Sequence, residues 1–289
     1  IAHDFRFESS GALKGIERGR HFCQNDAHLF VTPEQIESEF KSVVDLIFDV
    51  YKDFNITNYR CVLSLRDKED KEKYYPDDEM WEKAESELRK VLDDLNIPYT
   101  EEIGEAAFYG PKLDVNVKPA VGAEYTLSTC QLDFCLPAKF DLKYVDKNGE
   151  KKTPVVLHRA ILGSLDRFMA YILEETKGNL PTWLAPVQVN IIPVNNNYHL
   201  EYSNEIYDML KNSNVRVELD DRDEKLSYKM REAQIKKIPI NIIIGDKECS
   251  ENLVSYRRHG SNKTYSVEKN MFVSLLVNEI KNKKGKEDK

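Results

Sequence analysis

No uninterrupted apolar run in this chain approaches the roughly 20 residues that a membrane-crossing helix needs, so it is not read as a spanning protein. The opening residues, IAHDFRFESSG, lack a basic segment followed by an apolar one, and no secretory signal is expected there. The five cysteines (Cys23, Cys61, Cys130, Cys135 and Cys249) are odd in number and form no CxxC pair. That argues against a disulfide framework or a zinc ribbon and fits a reducing cytoplasm. Neither GxxxxGK[ST] nor GxGxxG occurs, which leaves a P-loop or dinucleotide fold unsupported. HExxH is missing too, which argues against a hydrolase built on that zinc motif. There is no internal repeat and no low-complexity tract.

What is present suffices for a sizeable core. Hydrophobic residues make up 41% and charged residues 32% of 289 positions, a length that suggests about two domains. The chain starts without Met and enters a patterned segment at once, which reads as the back part of a longer protein. The net charge of -8 is uneven. Residues 187–289 hold 18 Lys and Arg against 16 Asp and Glu, while residues 1–186 hold 24 against 34. The back third is therefore the better place for a polyanion partner.

The segment PTWLAP (181–186) follows a helical pattern that stops at Gly178, and a domain boundary is placed there, with domains over 1–184 and 185–289. Behind it the pattern predicts strands over 187–193, 215–219, 240–244 and 253–258. Helices are expected over 199–212, 225–237 and 267–282. This is a small α/β domain with a partly parallel sheet. The terminal run KNKKGKEDK reads as a solvated end. In the front domain, Thr32-Pro33-Glu34-Gln35 reads as a capping box with proline at the first helical position. Ile36, Phe40, Val43, Ile47, Tyr51 and Phe54 then form one buried face, and a second helix is expected from about Asp78 to Leu95.

Polar residues line up on strand faces where a core would be apolar. Side chains alternate along a strand, so Arg6 and Glu8 point opposite to Phe5 and Phe7. In a regular strand, Arg18, Arg20, Phe22, Gln24, Asp26 and His28 share a face. Thr129, Gln131 and Asp133 likewise lie opposite Cys130, Leu132 and Phe134. VVLHRAILGSLDRF reads as a buried strand ending near His158, then a helix carrying Arg167. A half-solvated sheet would give the same alternation. Arginines, histidines and carboxylates recurring on separate strands instead suit a nucleotide triphosphate, because the guanidinium fork matches phosphate oxygens.

Arg6-Phe7-Glu8, its loop and Arg18 through Asn25-Asp26-Ala27-His28 resemble motif 2 of the class II aminoacyl-tRNA synthetases, and GSLDRF (163–168) resembles motif 3. The stretches AFYGPK (107–112), QLDF (131–134), LHRAILGS (157–164) and PTWLAPVQV (181–189) resemble the threonyl-tRNA synthetases in particular. The resemblance covers essentially the whole chain. It implies an α/β protein: an α+β catalytic domain with an antiparallel sheet, N-terminally incomplete, followed by a small α/β anticodon-binding domain with a mixed sheet. It implies threonine–tRNA ligase activity, with ATP, L-threonine and tRNA(Thr) as substrates and partners, and a homodimer for the full-length protein. A synthetase-like RNA-binding module without aminoacylation is the alternative.

The resemblance also assigns roles. Arg6 and Arg167 are the catalytic arginines, on the α- and γ-phosphates of a bent ATP. Glu8 faces the adenine amino group, Phe22 stacks on the ring, Arg18 binds the triphosphate, and Gln131 joins the ATP site. Gln24, Asp26, Tyr109 and Lys112 border threonine. His28 and His158 are two ligands of a zinc ion whose third protein ligand is expected upstream of residue 1, and Mg²⁺ arrives with ATP. Many bacterial members carry a WQCGT-like stretch where this chain has Tyr125-Thr126-Leu127-Ser128-Thr129. In the back domain, Asp223, Arg231, Lys237, Glu248 and Arg257 stand where anticodon bases are read. Single-stranded bases expose their edges, so carboxylates are useful there beside cations.

Overall fold

The computed structural model describes residues 1–120 and 122–283. The terminal run expected to be solvated lies, from residue 284 onward, outside the described residues. The chain divides into two compact units, Ile1–Glu174 and Glu175–Lys289.

The front unit is built on one sheet. Its strands are β1 (Ala2–Phe5), β2 (His21–Val31), β3 (Tyr59–Leu65), β4 (Tyr99–Ile103), β5 (Lys112–Val117) and β6 (Tyr125–Asp133). A short helix α3 (Leu136–Lys139) and a small hairpin of β7 (Tyr144–Val145) and β8 (Lys151–Lys152) lead to β9 (Val155–Ser164). The order is β1-β2-β9-β6-β5-β3-β4, antiparallel except for β3 with β4.

Two helices, α1 (Ile36–Asp53) and α2 (Asp78–Asp94), supply the core. Ahead of α1, the Gln35 side chain accepts from the Thr32 N–H at 2.9 Å, closing the capping box across one turn of 3₁₀ helix. The Asp77 carboxylate accepts from the Met80 N–H and caps α2. Ile36, Phe40, Val44 and Ile47 are fully buried. Each such side chain contributes about 1.5–3 kcal/mol relative to exposure. Helix α1 packs against β6 and β9, and the Tyr51 hydroxyl meets Ser128 Oγ at 2.8 Å in that buried layer. One sheet face is thereby committed to the core, and the polar side chains are left on the other.

Strand β9 does not end near His158. It continues to Ser164, and α4 (Leu165–Glu175) follows. A short apolar run such as Ala160-Ile161-Leu162 reads equally as helix or strand. Here pairing on both sides decides, because β9 lies between β2 and β6. Asp26 pairs with Ala160 but Gln24 with Ser164, so β9 carries two extra residues at a bulge. Gly163 makes the bulge possible at φ +56°, where a Cβ would stand 2.6 Å from the Leu127 carbonyl oxygen.

The back unit has β10 (Val189–Pro193), α5 (Asn196–Asn212), β11 (Val217–Leu219), α6 (Leu226–Ile235) and β12 (Ile240–Ile244). It ends in α7 (Asp246–Glu251), β13 (Leu253–Arg258), β14 (Thr264–Glu268) and α8 (Lys269–Lys281). The order is β11-β10-β12-β13-β14, with β10 parallel to both neighbours and the rest antiparallel. Val189, Ile191, Ile240, Ile242 and Ile244 form its core with Ile206, Leu210 and Phe272. Helix α7 and strand β14 were not foreseen in the sequence. The first is six residues long, and the second alternates weakly along a half-exposed edge.

Candidate active site

Cross-strand register sorts the polar residues into rows on the face away from α1. Lys112 pairs with Gln131, Gln131 with His158, and His158 with His28. The next row runs Asp114, Thr129, Ala160, Asp26. Directly paired residues project to the same side, so four strands deliver these groups to one surface. Gln24 and Phe22 continue the face along β2.

At the Phe22 end lies a cavity of about 270 Å³, lined by Arg6, Glu8, Arg18, Phe22, Gln24 and Arg167, with Thr126, Thr129 and Ser164 among the rest. Five of the six residues expected to hold ATP are thus together. Gln131, the sixth, stands in the His158 row. Arg18 lies outside β2, in a turn that bridges back to Lys14. Arg20 does not share the face either: the strand starts at His21, and the Arg20 Nε donates to the Glu8 carbonyl oxygen at 3.0 Å.

Each arginine of the cavity has a partner within it or beside it. Arg18 Nη2 donates to Glu8 Oε2 at 3.1 Å. The Arg6 guanidinium sits over the Phe22 ring, 5.1 Å from its centroid. Arg167 Nε donates to the Glu17 carbonyl oxygen at 3.1 Å, and its guanidinium lies over the Tyr125 ring. Burial holds the Tyr125 phenol above its ordinary range, with the Arg167 charge opposing. Thr126 donates its hydroxyl to Asn116 Oδ1 at 2.8 Å.

At the other end of the face, the His28 and His158 rings meet edge to face, with centroids 4.6 Å apart. The buried Asp133 organises this corner. Its Oδ2 lies 2.8 Å from His158 Nε2, while its Oδ1 accepts from the N–H groups of Cys135 and Leu136. A carboxylate receiving the Nε2–H leaves His158 Nδ1 with a lone pair. The two imidazoles therefore fit as part of a zinc donor set. Among the described residues, no third His, Cys, Asp or Glu completes a cluster with them.

Beside the histidines, Tyr109 donates its hydroxyl to Gln131 Oε1. Gln131 Nε2 donates to Thr129, Thr129 Oγ1 donates to Asp114 Oδ1 at 2.7 Å, and Lys112 Nζ donates to Asp114 Oδ2 at 2.6 Å. Burial, then the Asp133 and Asp114 carboxylates, raises the Tyr109 phenol. The loop carrying Tyr109 can press on β6 only because Gly110 follows it: a Cβ there would lie 2.0 Å from the Leu132 carbonyl oxygen. Asp114, Asp133 and Asp166 were given no role from sequence. Asp166 Oδ2 accepts from the Cys23 N–H at 2.8 Å and so ties the start of α4 to β2. The signal was within reach for Asp133, which shares the Thr129 and Gln131 face.

The back unit distributes its expected RNA-reading residues differently. Asp223 and Arg231 are exposed. Lys237 Nζ donates to the Lys177 carbonyl oxygen. Glu248 Oε2 accepts from the Gly245 N–H at 2.9 Å as the cap of α7, and Glu248 also accepts from Ser255. Arg257 Nε donates to Thr264 Oγ1. Of the six basic residues between 222 and 237, Arg222 is paired with Asp220 and Glu232. Lys229 is buried, with Nζ on the Asp220 carbonyl oxygen.

Comparison with known proteins gives the chain a family. Residues 1–176 match the tRNA synthetase class II core domain (G, H, P, S and T), and residues 188–279 match an anticodon binding domain. The chain is 56% identical over 98% of its length to threonine–tRNA ligase of Staphylococcus carnosus, and 56% identical over 96% to that of Staphylococcus epidermidis. It spans 44% and 43% of those relatives' own lengths. The crystal structure of the RNA binding domain of threonyl-tRNA synthetase from Cryptosporidium parvum superposes with a TM-score of 0.87 at 33% identity, over 96% of this chain and 68% of that one. The chain therefore belongs to the threonyl-tRNA synthetases, and carries a class II core domain together with an anticodon-binding domain.

Proposed function

We propose that the protein carrying this chain activates L-threonine with ATP and transfers it to tRNA(Thr). The observation that supports this most is the convergence of Arg6, Arg18 and Arg167 around Phe22 and Glu8, on the same sheet face as His28 and His158. A threonine carboxylate oxygen attacks the α-phosphorus of ATP, the bond to the β-phosphate oxygen breaks, and pyrophosphate leaves. The terminal ribose hydroxyl of tRNA then attacks the carbonyl carbon of the adenylate, loses its proton, and expels AMP.

The residues act by position and charge. The nucleotide takes over partners already in place: adenine replaces Arg6 on the Phe22 face and Arg18 at Glu8. Arg6 is then directed to the α-phosphate, and Arg18 and Arg167 to the outer phosphates, with Mg²⁺ accompanying ATP. Fixed guanidiniums stabilise charge as it develops on the phosphorane oxygens without reorganising at that moment. Asp26 and Gln24 accept and orient the threonine end, and Tyr109 and Lys112 close its side of the pocket through the Gln131–Thr129–Asp114 chain. His28 and His158 are the residues of this chain that would hold zinc, which supplies a Lewis-acid position for the threonine hydroxyl. Valine, nearly the same shape without the hydroxyl, cannot fill that position, and a site built around an OH rejects its absence by roughly 10⁴–10⁵.

The exposed Asp223 and Arg231, with Lys237, Glu248 and Arg257, are the anticodon-reading set. A homodimer and a cytoplasmic location complete the reading. The second is supported by five cysteines with free thiols, and no described helix is long and apolar enough to cross a membrane. Charging of a tRNA(Thr) transcript by the natural-length protein is the test. Threonyl-tRNA should accumulate with ATP present. Binding of the transcript without charging would favour an RNA-binding role alone.

A further inference from the structure

The structure assigns a second metal site, formed by His3, His21 and Cys23, on the sheet face opposite the ATP cavity. His3 pairs directly with Cys23 across β1 and β2, and His21 stands two residues before Cys23 on the same strand. Alternation turns all three away from Asp4, Phe22 and Gln24. Their ligand atoms lie within 4.8 Å of one another, the one cluster of three or more such groups among the described residues. Nothing in the aminoacylation chemistry uses them.

The distances match a tetrahedral ion. Zinc bonds of about 2.05 Å to nitrogen and about 2.3 Å to sulfur at the tetrahedral angle place nitrogens about 3.4 Å apart and nitrogen about 3.6 Å from sulfur. His3 Nδ1 stands 3.1 Å from His21 Nε2 and 3.5 Å from Cys23 Sγ. The ligand atoms of His21 and Cys23, within 4.8 Å of each other, complete the tripod. The arrangement is also held. The Cys23 N–H is fixed by Asp166, and the His21 ring stacks on Phe5 at 4.7 Å. The histidines are exposed and the cysteine half-buried, so an ion can enter and water can take the fourth position.

One thiolate and two imidazoles select a borderline ion, Zn²⁺ in a cell, over Mg²⁺ or Ca²⁺. Binding releases the Cys23 thiol proton to solvent. The ion would staple the four-residue edge strand β1 to β2 immediately before Arg6, fixing the segment that presents Arg6 and Glu8 to the cavity.

Cobalt titration of the H28A/H158A variant isolates this site, because a thiolate bonded to Co²⁺ gives a near-ultraviolet charge-transfer band. One equivalent of Co²⁺ should produce the band, and Zn²⁺ should abolish it by displacement. C23S should remove the band and weaken Zn²⁺ binding at least about 100-fold, the upper end of what losing a mere supporting residue costs. H3Q, at an exposed edge position, should weaken it at least about 10-fold with an unchanged circular dichroism spectrum, and it covers the case in which C23S fails to fold. Absence of the band in folded H28A/H158A, or a band that survives in C23S, overturns the assignment.

Discussion

The two units place the side chains proposed to be functional by different means. In the front unit, one face of a seven-stranded sheet is committed to α1, and every second residue of four adjacent strands is delivered to the other face. Residues more than a hundred positions apart, such as His28 and His158, become neighbours through register alone. In the back unit the corresponding residues are scattered over a loop, helices α6 and α7, a helix end and a strand end, and three of them already hold structural bonds. On the proposed assignment, a sheet face concentrates chemistry, whereas a small α/β unit spreads recognition among its helices and loops and lets one side chain serve both fold and partner.

The comparison is broken most severely at the arginines. Arg167→Ala should lower threonine-dependent pyrophosphate exchange by at least about 10²–10³-fold, as removal of a preorganised charge does, with little change in thermal midpoint. Next comes Asp133→Asn, which removes the acceptor that orients His158. It should cost about 10–100-fold in zinc affinity or activity, read by metal analysis after dialysis. If Asp133 only capped the following turn, stability would fall and zinc affinity would not.

Smaller effects sharpen the contrast. Gly163→Ala should destabilise the front unit by about 1–3 kcal/mol through left-handed backbone strain and the Leu127 carbonyl clash, measured as a lower denaturant midpoint. Glu248→Ala should cost the back unit about 1 kcal/mol for the lost cap, while Arg231→Ala leaves stability alone and lowers the salt slope of tRNA binding by about 1. The smallest effect concerns Asp220. The Arg222 hydrogen bond holds its carboxyl below the ordinary 3.8, against the opposing effect of burial. Its contribution is therefore present above pH 3.8 and is lost as pH falls through the lowered folded value. In Arg222→Ala the Asp220 carboxyl, followed by NMR, should titrate at higher pH.

The sequence made the rows legible only in part. Alternation along FCQNDAH and TCQLD pointed to a polar face, and helix α1 was evident from its capping box and stripe. The register that sets His28 against His158, and the two extra residues that β9 carries beyond it at Gly163, come from pairing between distant strands, which no local pattern announces. The partners Asp114 and Asp166 escaped for a related reason: their importance comes from contacts across strands or at a helix start, not from their neighbours in the chain. Arg20 was misplaced because the alternation was extended past the start of β2. The His3–His21–Cys23 cluster was missed because its residues fell among the non-polar-face positions of the same segments.

The account rests on the claim that the guanidinium-lined cavity and the histidine pair act as one site. Pyrophosphate exchange by the natural-length protein tests it directly, with threonine and valine compared at saturating ATP, before and after His158→Ala. The account predicts exchange with threonine, almost none with valine, and loss of the threonine signal in the variant. Undiminished threonine exchange after removal of His158 would contradict it.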